Sequence, residues 1–472
     1  MRILVVEDDE EFAEEIERIL KAVPAITDIK IARSRDSAYS IIETDFADLI
    51  ILDLKIPTVD AASDEDPVHG QAVFAKSRSL APGTPIFILT GSPAESFIPY
   101  MLEQQQRLDI WSSGRTFGTV DFLKKYDFDK FGEKLAPVIA SVHSLNEIEL
   151  DTGALILAIE VDRLIRIFSR KCGGAKCVVS LIGGGLSGAL VIRLKITDRG
   201  GTLVHDAVAK IGSHSDVRDE CERFDRFISR LDPDATPRKL AHLEYGAKAR
   251  SGVFYGLADR FELTAFQVAG GIGNPDRTVQ GVASALRRWS AGVPESRREI
   301  CEVRRRLLSD ADLDRVVEKY GLSWVPEFES KSIQMRWCIV HGDLHGSNVL
   351  TSSSGESVVI DYGDVSEGPV SLDPMTLELS LFFHPQSPLR GSNWPTSENC
   401  AHWGDLERYL VGCPCAAFIR ECREWARRVA AGRREIAASA YSYLIRQLKY
   451  DDTDKALVRS LLDGVKTYFD AT

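Results

Sequence analysis

Four short apolar-rich runs in the first 125 residues each end abruptly in a residue that carries chemistry. Ile3–Val6 runs into Glu7, Asp8 and Asp9, and Leu49–Leu52 into Asp53. Ile86–Leu89 runs into Thr90, and Thr119–Leu123 into Lys124 and Lys125. Runs of this length, bounded this way, predict buried parallel strands. Between the first two, Phe12, Ile16, Ile19 and Leu20 recur at helical spacing. Strands alternating with helices predict a doubly wound α/β sheet, in which ligands gather beyond the carboxyl ends of the strands. One sheet edge is thus expected to collect Glu7, Asp8, Asp53, Thr90 and a lysine. Three carboxylates at one place repel each other unless a divalent cation lies among them, and oxygen donors suit Mg²⁺. A lysine opposite would neutralise a phosphoryl group carried by one carboxylate, and the Thr90 hydroxyl could hydrogen-bond to it.

Further along, Phe128, Phe131, Leu135, Val138, Ile139 and Val142 form an apolar stripe that predicts a helix closing this first domain near residue 143. A second helix is expected from about Ile148 to Phe168, ended by Gly173 and Gly174. It reads either as a helix docked on the next domain or as a signalling helix that could join two copies of the chain. Residues 177–194, CVVSLIGGGLSGALVIRL, read as strand, glycine turn and strand. Gly183, Gly185 and Gly188 fit G-x-G-x-x-G, and the β-rich flanks suit a phosphate lid between two strands. Ala207–Ala209 lead a strand into Lys210, whose ammonium needs a countercharge or a ligand phosphate. Ser213–Ile228 reads as a helix. Glu220 shares the side of Val217 and is the expected ion-pair partner of Lys210.

The densest chemistry lies in HGDLHGSNVL (341–350) and VVIDYGD (358–364). Asp343 and Asn348 have the D-x-x-x-x-N spacing of a phosphoryl-transfer loop, and the run Ser357–Ile360 delivers Asp361. In that chemistry Asp343 orients and deprotonates a hydroxyl, Asn348 and Asp361 hold Mg²⁺, and Lys210 neutralises nucleotide phosphates.

The pieces ILVVEDD, LIILDLKIP, IFILTG and VDFLKK resemble the receiver domain of two-component response regulators. That resemblance implies a flavodoxin-like fold over residues 1–143, with Asp53 as phosphoacceptor and Glu7 and Asp8 as the metal-binding pair. It also implies Thr90 as switch hydroxyl, Phe122 as switch aromatic, Lys125 rather than Lys124 as the paired lysine, and a histidine kinase as partner. Tyr126 stands where that family usually has proline. The later motifs resemble the aminoglycoside phosphotransferase and choline kinase branch of the protein-kinase-like fold, through His341, Gly342, Asp343, Asn348, Ile360, Asp361, Gly363 and Asp364. They are also similar to the bacterial ternary-complex-associated domains. An α+β two-lobed domain is implied over residues 175–472, split near residue 265, behind a helical linker at 144–174. Its implied ligands are ATP, Mg²⁺ and a hydroxyl acceptor, either a small molecule or a protein including the chain itself. The rival reading is a non-catalytic regulator that binds nucleotide or a partner.

Composition adds one fact. The 472 residues carry a net charge of -12, and residues 1–150, with 15 Lys/Arg against 27 Asp/Glu, account for all of it. Nothing in the charge supports nucleic-acid binding, and no apolar stretch is long enough for a membrane span. Nine cysteines spread from Cys172 to Cys422 suggest a reducing, cytoplasmic setting. Cys400, His402, Cys413 and Cys415 are close in sequence, but their spacing is unusual for zinc. Arg420, Arg423, Arg427, Arg428, Arg433 and Arg434 form a basic stretch that reads as a solvated helix face, or as a dock for the acidic first third.

Overall fold

The apolar runs of the first third are buried on both faces, which is why they read as unbroken rather than alternating. The computed structural model describes residues 1–91, 105–184, 189–233, 236–257 and 261–471. It divides into two compact units, Met1–Arg218 with Lys239–Gly256, and Asp219–Arg238 with Leu257–Thr472.

The first unit begins with a parallel sheet in the order β2-β1-β3-β4-β5. Its strands are β1 (Arg2–Val6), β2 (Asp28–Ala32), β3 (Leu49–Leu52), β4 (Ile86–Thr90) and β5 (Val120–Lys124). Helices α1 (Glu10–Lys21), α2 (Arg35–Thr44), α3 (Pro67–Leu80) and α4 (Phe131–His143) connect and cover it. Asp9 caps α1 by accepting the Phe12 amide, and Asp66 caps α3 ahead of a proline at its first turn. This is the doubly wound architecture expected.

The stretch after it departs from expectation in detail. Glu149–Asp151 forms a strand, β6, and the helix α5 starts only at Ile159 and runs to Lys171. Beyond it a second sheet has the order β10-β11-β9-β8-β7-β6. Its strands are β7 (Lys176–Gly184), β8 (Leu190–Thr197), β9 (Leu203–Ser213), β10 (Arg238–Leu243) and β11 (Arg250–Leu257).

Helix α5 is buried on two sides. Val161, Leu164, Ile165 and Phe168 enter the core of the second sheet, where Phe168 stacks on Phe254 with ring centroids 4.0 Å apart. Ile167 instead joins the core of the first sheet, with Leu243 and Tyr245 packed against it. Arg163 reaches the same way. Its Nε lies 2.9 Å from Oδ1 of Asp48, just ahead of β3, and both side chains are buried. Backbone bonds reinforce this docking: the Gly83 amide donates to Lys248 O (2.8 Å) and the Gly246 amide to Gly83 O (2.8 Å). A Cβ on Gly83 would stand 2.8 Å from Glu244 O, so only glycine permits the approach. The reading of α5 as a docked helix holds, and it docks on both sheets at once.

The second unit is mostly helical around one large core. Helix α6 (Leu372–Phe383) is buried along its whole length, between α7 (Ala416–Val429) and α8 (Arg433–Gln447). Among the six arginines of the basic stretch, Arg423 is buried against Glu378 and Arg420, Arg427 and Arg428 pair with Glu407, Glu424 and Glu421. The basic stretch is therefore largely neutralised by its own neighbours. Among the described residues, the only grouping with metal-ligand geometry is Glu7, Asp8 and Asp53, so the cysteine and histidine cluster near residue 400 does not form one. No helix among the described residues is long and apolar enough to cross a membrane.

The Arg163–Asp48 pair gives a direct test of the docking. Arg163→Met strands a buried carboxylate and is expected to cost about 3–5 kcal/mol, read as a lower urea midpoint for the first unfolding transition. Adding Asp48→Leu should recover a large part of that loss, because no unpaired charge then stays buried.

Candidate functional sites

Strand register builds the first site. β1 and β3 pair with Val6 beside Leu52, so the next residues, Glu7 and Asp53, leave the sheet side by side. β4 and β5 pair with Thr90 beside Lys124, which places Lys125 one step beyond. Lys125 Nζ lies 2.8 Å from Glu7 Oε1 and 2.7 Å from Asp53 Oδ2, and 4.6 Å from the Phe12 ring centroid. Glu7, Asp8 and Asp53 each offer an oxygen within 4.8 Å of the others. Glu7 and Asp53 are buried, at 1% and 4% exposure. Burial, and then the charge of Asp53, pushes the Glu7 carboxyl up to about 8 against the opposing pull of Lys125. Burial also raises Asp8. Burial works against the Lys125 ammonium, but Asp53 and Glu7 outweigh it and raise its pKa. Too little positive charge for the carboxylates present is the electrostatic profile of a cation site, and its donor set is all oxygen, as Mg²⁺ prefers. Thr90 is buried at the strand end, and Phe122 is half-buried beside the core under α2 and α3.

In the second sheet, Val191 of β8 pairs with Gly183 on one side and Lys210 on the other. Gly183 and Lys210 therefore stand at one level of the sheet, and Lys210 is buried. Gly185 and Gly188 lie outside the described residues. Glu220, on the helix His214–Phe227, falls in the second unit and is buried there.

The second unit holds the remaining residues. The strand β12 (Ser332–Val340) feeds His341, Gly342 and Asp343, and a hairpin of β13 (Val349–Thr351) and β14 (Ser357–Val359) connects Asn348 to Asp361. One buried carboxylate sets the loop. Asp373, at the start of α6, accepts the amides of His341 (2.8 Å) and Gly342 (3.1 Å). Gly342 has φ +82°, and a Cβ there would stand 2.6 Å from Asp364 O. The His341 ring is fully buried and its Nε2 lies 3.1 Å from Ile360 O, tying the loop to the strand that carries Asp361. Asn348, itself buried, donates from Nδ2 to Asp343 O (2.9 Å). Asp361 adopts φ +64°, a conformation that costs a non-glycine residue about 1–3 kcal/mol and that concentrates at functional sites. Tyr362 beside it is fully buried, with its hydroxyl on Val359 O and its ring edge-on to Phe224.

Asp343 stays partly exposed. Arg446 NH1 lies 3.6 Å from its Oδ1 and His345 Nε2 lies 3.7 Å from its Oδ2. His345 packs face to face with Phe266 and lies against His384. Burial holds both histidines down at about 4, so both are neutral at pH 7. The structure thus gathers Asp343, Asn348 and Asp361 in one unit, with Lys210 and Gly183 on the sheet of the other. Asp373, His345 and Arg446 were not anticipated from sequence. An acid in the first turn of a helix beginning Leu-Asp-Pro was the one local signal for Asp373.

Comparison with known proteins follows the same division. Residues 3–106 match the response regulator receiver domain, and residues 178–391 match the phosphotransferase enzyme family. The chain carries a receiver domain followed by a kinase-like phosphotransferase-family domain. No curated protein sequence matches it. Among solved structures, a CheY-like receiver from Methanospirillum hungatei JF-1 is 22% identical, covers 29% of this chain and 94% of its own, and gives a TM-score of 0.21. A Francisella response regulator 1452 receiver is 21% identical, with 29% and 96% coverage and a TM-score of 0.22. The GDP and kanamycin complex of an APH(2")-type enzyme is 12% identical, with 62% and 89% coverage and a TM-score of 0.34.

Asp373 should prove a structural pin. Asp373→Ala orphans two buried amides, at about 1–3 kcal/mol each, and is expected to lower the urea midpoint of the second unit. Asp364→Ala, at an exposed position of the same loop, should leave that midpoint within error.

Proposed function

We propose that the chain is a two-component signalling protein in which phosphorylation of Asp53 regulates an ATP- and Mg²⁺-dependent phosphotransferase acting on a hydroxyl acceptor. The observation that carries the reading is the loop from His341 to Asp361: Asp343 partly exposed, Asn348 bonded to its carbonyl, Asp361 held at positive φ, and the backbone just ahead of Asp343 fixed by Asp373. Glu7 and Asp53, bridged by Lys125, with Asp8 beside them, support the receiver half, with a histidine kinase as the expected phosphodonor.

In the transferase, Asp343 accepts the proton of the attacking hydroxyl, and its fixed backbone keeps that carboxylate on line with the acceptor. Asn348 and Asp361 would hold Mg²⁺, whose chemistry is to neutralise charge on the transferring phosphates. Lys210, level with Gly183 on the sheet, would meet nucleotide phosphates, with Glu220 as its expected partner and Gly185 and Gly188 completing the lid. In the receiver, Asp53 is the acceptor oxygen, Glu7 and Asp8 would share a cation with it, and Lys125 stands ready to pair with the new phosphoryl charge. Thr90 and Phe122 are the expected switch residues.

Two measurements test the halves separately. Asp343→Ala should lower acceptor-dependent ADP release by about 10²–10⁴-fold, the usual worth of a general base; equal, background-level turnover in wild type and variant would sink the enzyme reading in favour of a nucleotide-binding regulator. Labelling by a small phosphodonor such as acetyl phosphate should require Mg²⁺ and vanish in Asp53→Ala, whereas persistent labelling would remove Asp53 as acceptor.

A further inference from the structure

Next to the loop that carries Asp343, the second unit has an open cavity of about 470 Å³. Gly342 and Asp364 line one side of it, so it opens on the loop itself. Four guanidinium groups line the rest: Arg223, Arg226, Arg306 and Arg446. Against them stand two carboxylates, Asp364 and Glu367, leaving the lining with an excess of two positive charges. Arg446 ties the cavity to the reacting end, because its NH1 is 3.6 Å from Asp343 Oδ1. Its guanidinium also meets the Tyr450 hydroxyl (Nε to Oη, 3.0 Å); burial works against its charge, but Asp343 and Tyr450 together outweigh it and raise its pKa. Among the described residues, no carboxylate lies within ion-pair distance of Arg223, Arg226 or Arg306. Arg226 and Arg306 lie over Phe227 and Trp337 (5.0 and 5.5 Å to the ring centroids), which holds their planes without neutralising them.

Resting on the phosphotransferase reading above, we infer that the acceptor is a small alcohol that itself bears a phosphate or carboxylate group, seated in this cavity with its anion on the arginines and its hydroxyl at Asp343. Planar guanidinium forks recognise such oxyanions by paired hydrogen bonds. A polycationic acceptor such as kanamycin, which one of the similar structures contains, would meet like charge here. The reaction balances simply. The acceptor oxygen forms a bond to the γ-phosphorus of ATP, the bond from that phosphorus to the β–γ bridging oxygen breaks, ADP leaves, and the hydroxyl proton passes to the Asp343 carboxylate.

The test uses the full chain with a panel of anionic alcohols (glycerol 3-phosphate, glucose 6-phosphate and gluconate), their neutral parents glycerol and glucose, and kanamycin. Transfer from labelled ATP is expected to at least one anionic member, with kcat/KM at least tenfold above its neutral parent and above kanamycin. In Arg226→Ala/Arg306→Ala the KM for that acceptor should rise tenfold or more while the KM for ATP moves less than twofold. Calorimetry supplies a readout independent of turnover: glucose 6-phosphate should bind the wild type and Asp343→Ala alike, and the double arginine variant at least tenfold more weakly. Equal use of neutral or cationic acceptors, label confined to the protein itself, a double variant that changes only the KM for ATP, or neither transfer to nor binding of any anionic member would each overturn the inference. Anion binding that survives in Asp343→Ala while transfer also survives would instead retain the cavity and remove the general-base assignment.

Discussion

A carboxylate withdrawn from water must be met by a cation or by several hydrogen-bond donors, and both halves of this chain are arranged around that requirement. In the receiver, Glu7 and Asp53 share Lys125. In the phosphotransferase-like domain, Asp373 meets no cation among the described residues and instead accepts the two amides just ahead of Asp343. The two solutions differ in consequence. A lysine side chain that bridges two acids keeps rotational freedom and can trade one partner for another. A carboxylate satisfied by two backbone amides fixes the conformation of the chain that carries them.

The same requirement joins the first and second sheets. Asp48 stands just before β3 and Asp53 just after it, so the Arg163–Asp48 pair lies at the edge of the sheet opposite Asp53. Gly83, bonded to Gly246 and Lys248, precedes β4 at that same edge. These docking contacts therefore lie at the end of the strands away from Glu7, Asp53 and Lys125. Helix α4 connects the two edges: it follows Lys125, and near its end Ser141 O accepts Arg170 of α5 (3.1 Å).

What could be read from sequence was local. A run of apolar residues that stops at an acid announces both a strand and the edge where its chemistry is displayed, so Glu7, Asp53, Thr90 and Lys125 were visible one by one. H-G-D with Asn five residues on, and I-D-x-G-D after a strand, are visible for the same reason: the loop is short and its residues are covalent neighbours. Arg163 and Asp48 are 115 residues apart, and nothing near either one marks the other. Helix α5 misled for a related cause. Its apolar residues begin before Ile159, but Glu149–Asp151 gains more by adding a strand beside β7 than by extending a helix, and Ile156 is left fully exposed. Of the six arginines from 420 to 434, only Arg423 departs from a solvated face, because sequence does not show that Glu378 lies beneath it.

Backbone strain in the transferase loop has a physical rationale in the same terms. Asp361 at φ +64° and Gly342 at φ +82° flank the point where the loop and the β14 strand end converge. An ordinary residue would relax out of the first conformation at a gain of about 1–3 kcal/mol. Three bonds oppose that relaxation: Asp373 to the His341 and Gly342 amides, and the His341 ring to Ile360 O. The last of these attaches the residue before Asp361 directly to the residue two before Asp343. The oxygens of Asp361 and Asp343 are therefore not positioned independently. A change that frees His341 should disturb both together, which is why a fully buried histidine, neither exposed nor facing the cavity, belongs to the chemistry of the site.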